Sequence, residues 1–121
     1  TCSVCAASLE KHQDTEFVLM TKEKKRMIGC CAHCGIFMMF KMKNNIKRAV
    51  TTDYTSGKLI NAKSAFYVLG SKKVICCYPS TISFANKSDA AGFQKEYGGD
   101  VLTFTETIAN IDRIMKSPAF K

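Results

Sequence analysis

Cysteine is the residue type whose number and spacing in this sequence point to chemistry. Seven of the 121 residues are cysteines. They form three clusters: Cys2 and Cys5; Cys30, Cys31 and Cys34; Cys76 and Cys77. An odd number of cysteines cannot pair completely in intramolecular disulfides, and structural disulfides in small secreted domains are usually spread along the chain. The bunching therefore favours a metal site or a redox dithiol.

The most specific motif is Cys31-Ala32-His33-Cys34, where the sequence pattern predicts the start of a helix. A helix N-terminus carries partial positive charge and N–H groups without helical partners, and both favour a thiolate. Residues three apart share one helix face, so Cys31 and Cys34 can converge on one ion or form a disulfide. Cys30 can join them. His33 is expected beside the site, contacting a ligand or solvent rather than the ion.

The other two clusters are weaker candidates. Cys2-Ser3-Val4-Cys5 repeats the CxxC spacing of zinc ribbons, redox proteins and copper carriers. Cys76 and Cys77 lie in a predicted loop, and either sulfur can complete a site with another cluster. Ala6 and Gly35, rather than histidine, follow the two CxxC motifs. We therefore expect no covalent c-type haem.

Several function classes find no support. The sequence contains no G-x-S-x-G elbow, H-E-x-x-H motif or Gly-rich phosphate loop, so we do not predict an enzyme. The net charge is +8, with basic runs at 22–26 and 41–48. No aromatic residues interleave with these bases, which argues against nucleic-acid binding and favours a solvated surface. Such a surface can attract an acidic protein partner or anionic lipid.

Hydrophobic patterning predicts the elements that position these residues. A hairpin of strands at 17–20 and 26–28 precedes a helix at 31–43, on which Ile36, Met39 and Phe40 recur at helical spacing, and a strand at 47–52 follows. The order then repeats, with strands at 65–69 and 81–85, a helix at 88–97, a strand at 100–104 and a last helix at 105–115. Ser88 is the expected N-cap of the second-unit helix, and Gly98-Gly99 its end.

This order predicts an α+β fold of two tandem β-β-α-β units with mainly antiparallel sheets and a C-terminal helix. The predicted single domain, 1–121, has three parts: an irregular CxxC segment at 1–13, a first unit at 14–57, and a second unit with the last helix at 58–121. The longest apolar runs, such as 37–40, are too short to cross a membrane.

With these motifs in place, the chain resembles the nitrous-oxide-reductase accessory protein family (NosL-like). The similarity spans most of the chain and is densest in 53–62 (DYTSGKLINA), 65–71 (AFYVLGS) and 98–106 (GGDVLTFTE), with the leading Cys2-x-x-Cys5. The resemblance implies the tandem fold, export, frequent tethering by a lipid, and Cu(I) carriage to a periplasmic enzyme. A distant fold kinship with organomercurial lyases is also implied.

Two departures from that family concern the metal. Ala6-Ala7 stand where the family usually has Gly-Met, and Ser80-Thr81 follow Pro79 where it tends to have Met-Gly. Two expected thioether ligands are therefore replaced, while the cluster at 30–34 is added. More thiolate and less thioether favour tighter binding of Cu(I), Zn(II) or Hg(II). Cu(I) is the predicted ion, with Zn(II) as the alternative.

The predicted function is an extracytoplasmic soft-metal-binding protein, a Cu(I) carrier or scavenger. Cys31 and Cys34 are the first candidate ligands, followed by Cys2, Cys5, Cys77, Cys76 and Cys30. Two alternatives stay open: a thiol–disulfide oxidoreductase using Cys31 and Cys34, and an assembly protein whose cysteines cross-link subunits or share a metal. A periplasmic or extracellular location is expected, with an export signal or lipid anchor upstream of residue 1. The expected partner is an extracytoplasmic metalloenzyme or transporter.

Overall fold

The part of the chain that the structure describes forms two antiparallel sheets and three helices. The computed structural model describes residues 13, 15–42, 45–73 and 80–115. The first group of elements is β1 (Phe17–Thr21), β2 (Arg26–Gly29), α1 (Ala32–Lys41), β3 (Ile46–Thr52) and β4 (Leu59–Asn61). After a 3₁₀ turn at Ala62–Ser64 come β5 (Phe66–Leu69), β6 (Thr81–Phe84), α2 (Lys87–Tyr97), β7 (Asp100–Thr103) and α3 (Phe104–Met115). The predicted α+β class, both β-β-α-β units and the C-terminal helix are confirmed.

The first sheet has the strand order β2-β1-β3-β4. One of its two inner strands, β1, pairs with β2 through the predicted hairpin and with β3 on its other side, so Val18 lies opposite both Ile28 and Val50. The strand β4 was not predicted. It has only three residues and pairs with the end of β3, with Leu59 opposite Thr52.

The second sheet has the order β6-β5-β7 and carries α2 on one face. This helix ends at Gly98, which has a φ of 79° and donates its N–H to the Gln94 carbonyl. The predicted N-cap at Ser88 is wrong, because the extended backbone ends earlier. Asn86 has φ −117° and ψ 139° and is the N-cap, so Ser88 lies inside the first turn.

Two hydrophobic cores hold the layers together. The larger contains Phe17 and Leu19 of β1, Ile36 and Met38 of α1, and Tyr67 of β5, together with residues of α3. The smaller packs α2 on the other face of the second sheet. Met39, predicted on the apolar face of the first helix, is only partly buried, whereas the neighbouring Met38 is 3% exposed.

A polar junction connects the two sheets. The hydroxyl groups of Thr51 in β3 and Ser83 in β6 are 2.6 Å apart and buried. The backbone N–H of Ala85, just after β6, donates to the Asp53 carboxylate at 3.2 Å, and the Ser56 hydroxyl donates to the same carboxylate at 2.7 Å. The densest segment of the family resemblance therefore begins with a carboxylate that bridges the two halves of the molecule.

Candidate metal centre

Three cysteines meet where β2 passes into α1. Cys31 is the N-cap of α1, with extended backbone angles of φ −155° and ψ 173°, and Cys34 lies in the first helical turn. Cys30 directly follows Gly29, the last residue of β2. The three sulfur atoms lie within 4.8 Å of one another. The change from strand to helix thus gathers residues that a straight chain would separate.

Two glycines make this close approach possible. A Cβ atom on Gly29 would lie 3.0 Å from the backbone nitrogen of Gly35 and 3.2 Å from Cβ of Cys34. A Cβ atom on Gly35 would lie 2.1 Å from the ring of Phe17 in β1. The absence of both side chains lets the first turn of α1 lie directly on the sheet, and this contact sets the position of Cys34.

The cluster is enclosed by protein. Cys30, Cys31 and Cys34 are 0%, 2% and 1% exposed. The hydroxyl group of Thr15 donates a 2.6 Å hydrogen bond to the Cys30 carbonyl and ties the preceding segment to the cluster. Because thiolate ligands in a water-poor site are protected from oxidation and competing ligands, such burial suits retention of a soft ion.

The helix supplies favourable electrostatics. The first turn of α1 has no acidic residue, and the N-cap side chain makes no capping hydrogen bond. The partial positive charge of the helix N-terminus therefore lies beside Cys31, and no carboxylate within the first turn of α1 competes for it. This environment stabilises thiolates, which are the form of cysteine that binds metals.

The sulfur spacing fits low coordination numbers. Three sulfurs bound at about 2.3 Å to one ion in a plane would lie about 4.0 Å apart, and two in a line about 4.6 Å apart. The Cys30 and Cys34 sulfurs are 3.6 Å apart. Cys30 is disulfide-bonded, so it offers a third thiolate only after reduction.

His33 lies beside the cluster with an unusual environment. Both of its ring nitrogens are buried, and neither has a hydrogen-bond partner in the described part of the chain. Burial lowers the pKa of the imidazole, and the nearby Cys31 thiol opposes this shift. The lowered pKa favours the neutral form of the ring, which is the form that can bind a metal.

The remaining candidate ligands lie elsewhere in the chain. Cys2, Cys5, Cys76 and Cys77 fall outside the described residues, as does the predicted irregular segment 1–13 apart from its last residue. Within the described residues, the one group of three potential ligands is Cys30, Cys31 and Cys34. No helix of the described portion has the length and apolar character needed to span a membrane.

Fold and site together define a small α+β protein with a buried cysteine cluster at a helix N-terminus. The NosL family model matches residues 1–111, and the chain therefore belongs to the NosL family. The described fold is similar to a crystal structure of the copper chaperone NosL from Shewanella denitrificans, with a TM-score of 0.79 and 23% identity over 87% of each chain.

A curated protein from Bacillus subtilis (strain 168), the HTH-type transcriptional repressor CutR, is also similar. It is 25% identical over 111 residues, which are 91% of this chain. The matched residues make up 57% of the repressor's length, so this chain spans little more than half of that relative.

Proposed function

We propose that this protein binds Cu(I) as cargo through Cys31 and Cys34, with Cys30 as a third ligand when its sulfur is reduced, and carries or scavenges the ion. One observation supports this above all: three buried cysteine sulfurs within 4.8 Å of one another at a helix N-terminus. Membership of the NosL family agrees with carriage rather than catalysis.

The donor set favours Cu(I) over Zn(II). Structural zinc sites are almost always tetrahedral with four protein ligands, whereas the described cluster offers two thiols, and a third sulfur only when Cys30 is reduced. Cu(I) is soft and accepts two or three thiolates. A two-thiolate site with one Cu(I) carries a net charge of about −1, which the helix N-terminus can stabilise.

Exchange of the ion needs a route to the buried cluster. Cys2 and Cys5 form the natural receiving pair in our proposal, because a CxxC pair can hold Cu(I) by two sulfurs and pass it on by ligand exchange. Cys77, with Cys76 beside it, is the second candidate for this role. The expected recipient or donor is an extracytoplasmic metalloenzyme or transporter.

The test compares two double variants, Cys31→Ser/Cys34→Ser and Cys2→Ser/Cys5→Ser. Each is reduced, loaded without oxygen and titrated with Cu(I) against a competing chelator. We expect the first variant to lose tight binding, and the second to keep affinity at equilibrium but transfer the ion more slowly. Unchanged affinity and stoichiometry in Cys31→Ser/Cys34→Ser would refute the assignment.

Metal identity has a separate readout. X-ray absorption of the loaded wild type is expected to show two or three sulfur neighbours around copper. If the wild type has three, the Cys30→Ser variant is expected to have two. Four-sulfur coordination of Zn(II), retained in preference to Cu(I), would contradict the proposal. Turnover of insulin disulfides by the metal-free protein would instead favour the oxidoreductase alternative.

A second candidate function follows from the repressor CutR, which matches nearly all of this chain. In that case the domain would sense the metal and report it to another part of a longer protein. A transport assay separates the two functions: export of the full gene product supports a carrier, and retention in the cytoplasm with metal-dependent DNA binding supports a sensor.

A further inference from the structure

The outer face of the first sheet is unusually apolar. In β1, Phe17 and Leu19 point into the larger core, so strand alternation places Val18 and Met20 on the opposite face. The pairing register adds Ile28, Val50 and Leu59 to that face. None of these five belongs to either of the two hydrophobic clusters described above, although Val18, at the centre of this face, is only 6% exposed. An antiparallel sheet with one solvated face normally carries polar residues there.

This face is concave. The described residues that line a groove of about 320 Å³ on it all belong to β1 to β4. Leu59 lies at its edge and is 57% exposed, the one large hydrophobic side chain so exposed among the described residues. The groove is thus a preformed apolar surface that no described helix packs against.

The charged side chains that line the groove, among the residues that the structure describes, are all basic. Arg26 and Arg48 line the groove, each directly opposite Met20 in the register. A neighbouring depression of about 340 Å³ is lined by Met20, Lys24, Lys47 and Arg48. None of the described residues that line these two depressions is acidic. An apolar groove flanked by cations is therefore complementary to an occupant that carries apolar and acidic groups side by side.

We propose that the outer face of the first sheet is a docking surface for an acidic, apolar segment of another protein. A second copy of this chain fits poorly, because the net charge of +8 would place like charges across the interface. An anionic membrane fits less well than a protein segment, because a bilayer needs several protruding apolar side chains and this face is a groove. The surface is distinct from the cysteine cluster, which lies at the other end of β2.

The test uses an extended synthetic peptide that alternates glutamate with valine, and a counterpart in which lysine replaces each glutamate. Binding to the full chain is followed by chemical-shift changes and by titration. We expect the acidic peptide to shift signals of Val18 and Val50 and the basic peptide to leave them unchanged. The Arg26→Glu/Arg48→Glu variant should weaken binding at least about tenfold, as should Leu59→Asp.

A matched control carries the same change of charge on another surface. Lys87→Glu/Lys95→Glu alters two exposed lysines of α2, which packs on the second sheet, and should leave binding within about twofold. Equal weakening in both charge variants would mean attraction by net charge alone and would overturn the proposal. It would also be overturned if the acidic peptide failed to bind, if only anionic vesicles bound, or if the groove signals shifted with protein concentration through self-association.

Discussion

The imidazole of His33 is the residue whose environment most needs an explanation. A buried polar group without a hydrogen-bond partner costs roughly 1–3 kcal/mol, and both ring nitrogens of His33 are in that state within the described structure. Proteins keep such groups where function requires them. A role beside the metal, orienting a cysteine ligand, would provide the missing partner.

Replacement of His33 by leucine should therefore separate stability from function. We expect His33→Leu to raise the free energy of unfolding of the metal-free protein by about 1 kcal/mol, because an apolar side chain of similar size needs no partner. Cu(I) affinity should fall about 10–100-fold, as for other residues that support metal ligands. Urea unfolding and chelator competition measure the two quantities. Lower stability with unchanged affinity would show that the ring is a packing residue only.

At the scale of elements, the contact between α1 and β1 decides where the cysteines lie. The helix can approach because position 35 has no side chain, and a Cβ atom there would overlap the Phe17 ring. Sequence patterning predicted the helix but not this contact, since a glycine inside a helix usually signals only lower propensity. Glycine stands at position 35 because the Phe17 ring occupies the space that a methyl group would need.

Two glycine-to-alanine substitutions should therefore change the stability of the protein in opposite directions. Gly35→Ala should destabilise the protein by about 1–3 kcal/mol through overpacking and weaken Cu(I) binding, because α1 must move away from β1. Gly92→Ala in α2, where a Cβ atom meets nothing within 4 Å, should stabilise it by about 0.5–1 kcal/mol. Thermal unfolding measures both. Equal effects of the two substitutions would contradict the packing argument.

Another element-scale feature escaped the sequence interpretation although its signal was present. The N–H of Thr103 donates to the Glu106 carboxylate, and the N–H of Glu106 donates to the Thr103 hydroxyl. This is a capping box, whose T-x-x-E pattern can be read directly from the sequence. It explains why α3 begins immediately after β7 without a loop.

At the scale of the whole molecule, Asp53 connects the two β-β-α-β units. Burial acts to raise the pKa of its carboxyl, but hydrogen bonds from the Ser56 hydroxyl and from the N–H groups of Ala85 and Thr55 outweigh burial and lower the pKa. A depressed folded-state pKa means that the ionised group stabilises the fold above the ordinary value of 3.8. That stabilisation is lost as the pH falls through the lower folded-state pKa.

Asp53→Asn should accordingly show a pH-dependent defect. At pH 7 we expect the free energy of unfolding to fall by about 1–3 kcal/mol, because the hydrogen bonds between the two sheets lose their ionised acceptor. The difference from the wild type should shrink in acid, where the wild-type carboxyl is itself protonated. Urea unfolding at neutral and acid pH measures it, with Asp100→Asn, an exposed carboxylate of β7, as the control. A pH-independent difference would indicate loss of shape complementarity alone.

Local patterns in the sequence determined the two β-β-α-β units, the helix beginning at Cys31, and the end of α2 at Gly98, because alternation, helical spacing and glycine signals act over a few residues. The sequence only allowed Cys30 to join Cys31 and Cys34, and the tertiary structure brings the three together. Tertiary structure alone decided that Met38 rather than Met39 is buried, and that Leu59–Asn61 extends the first sheet. These depend on which faces meet across the core, and a three-residue strand is too short to show a period. For the same reason the apolar outer face appeared only in the register of β1, β3 and β4, since residues far apart in sequence compose it.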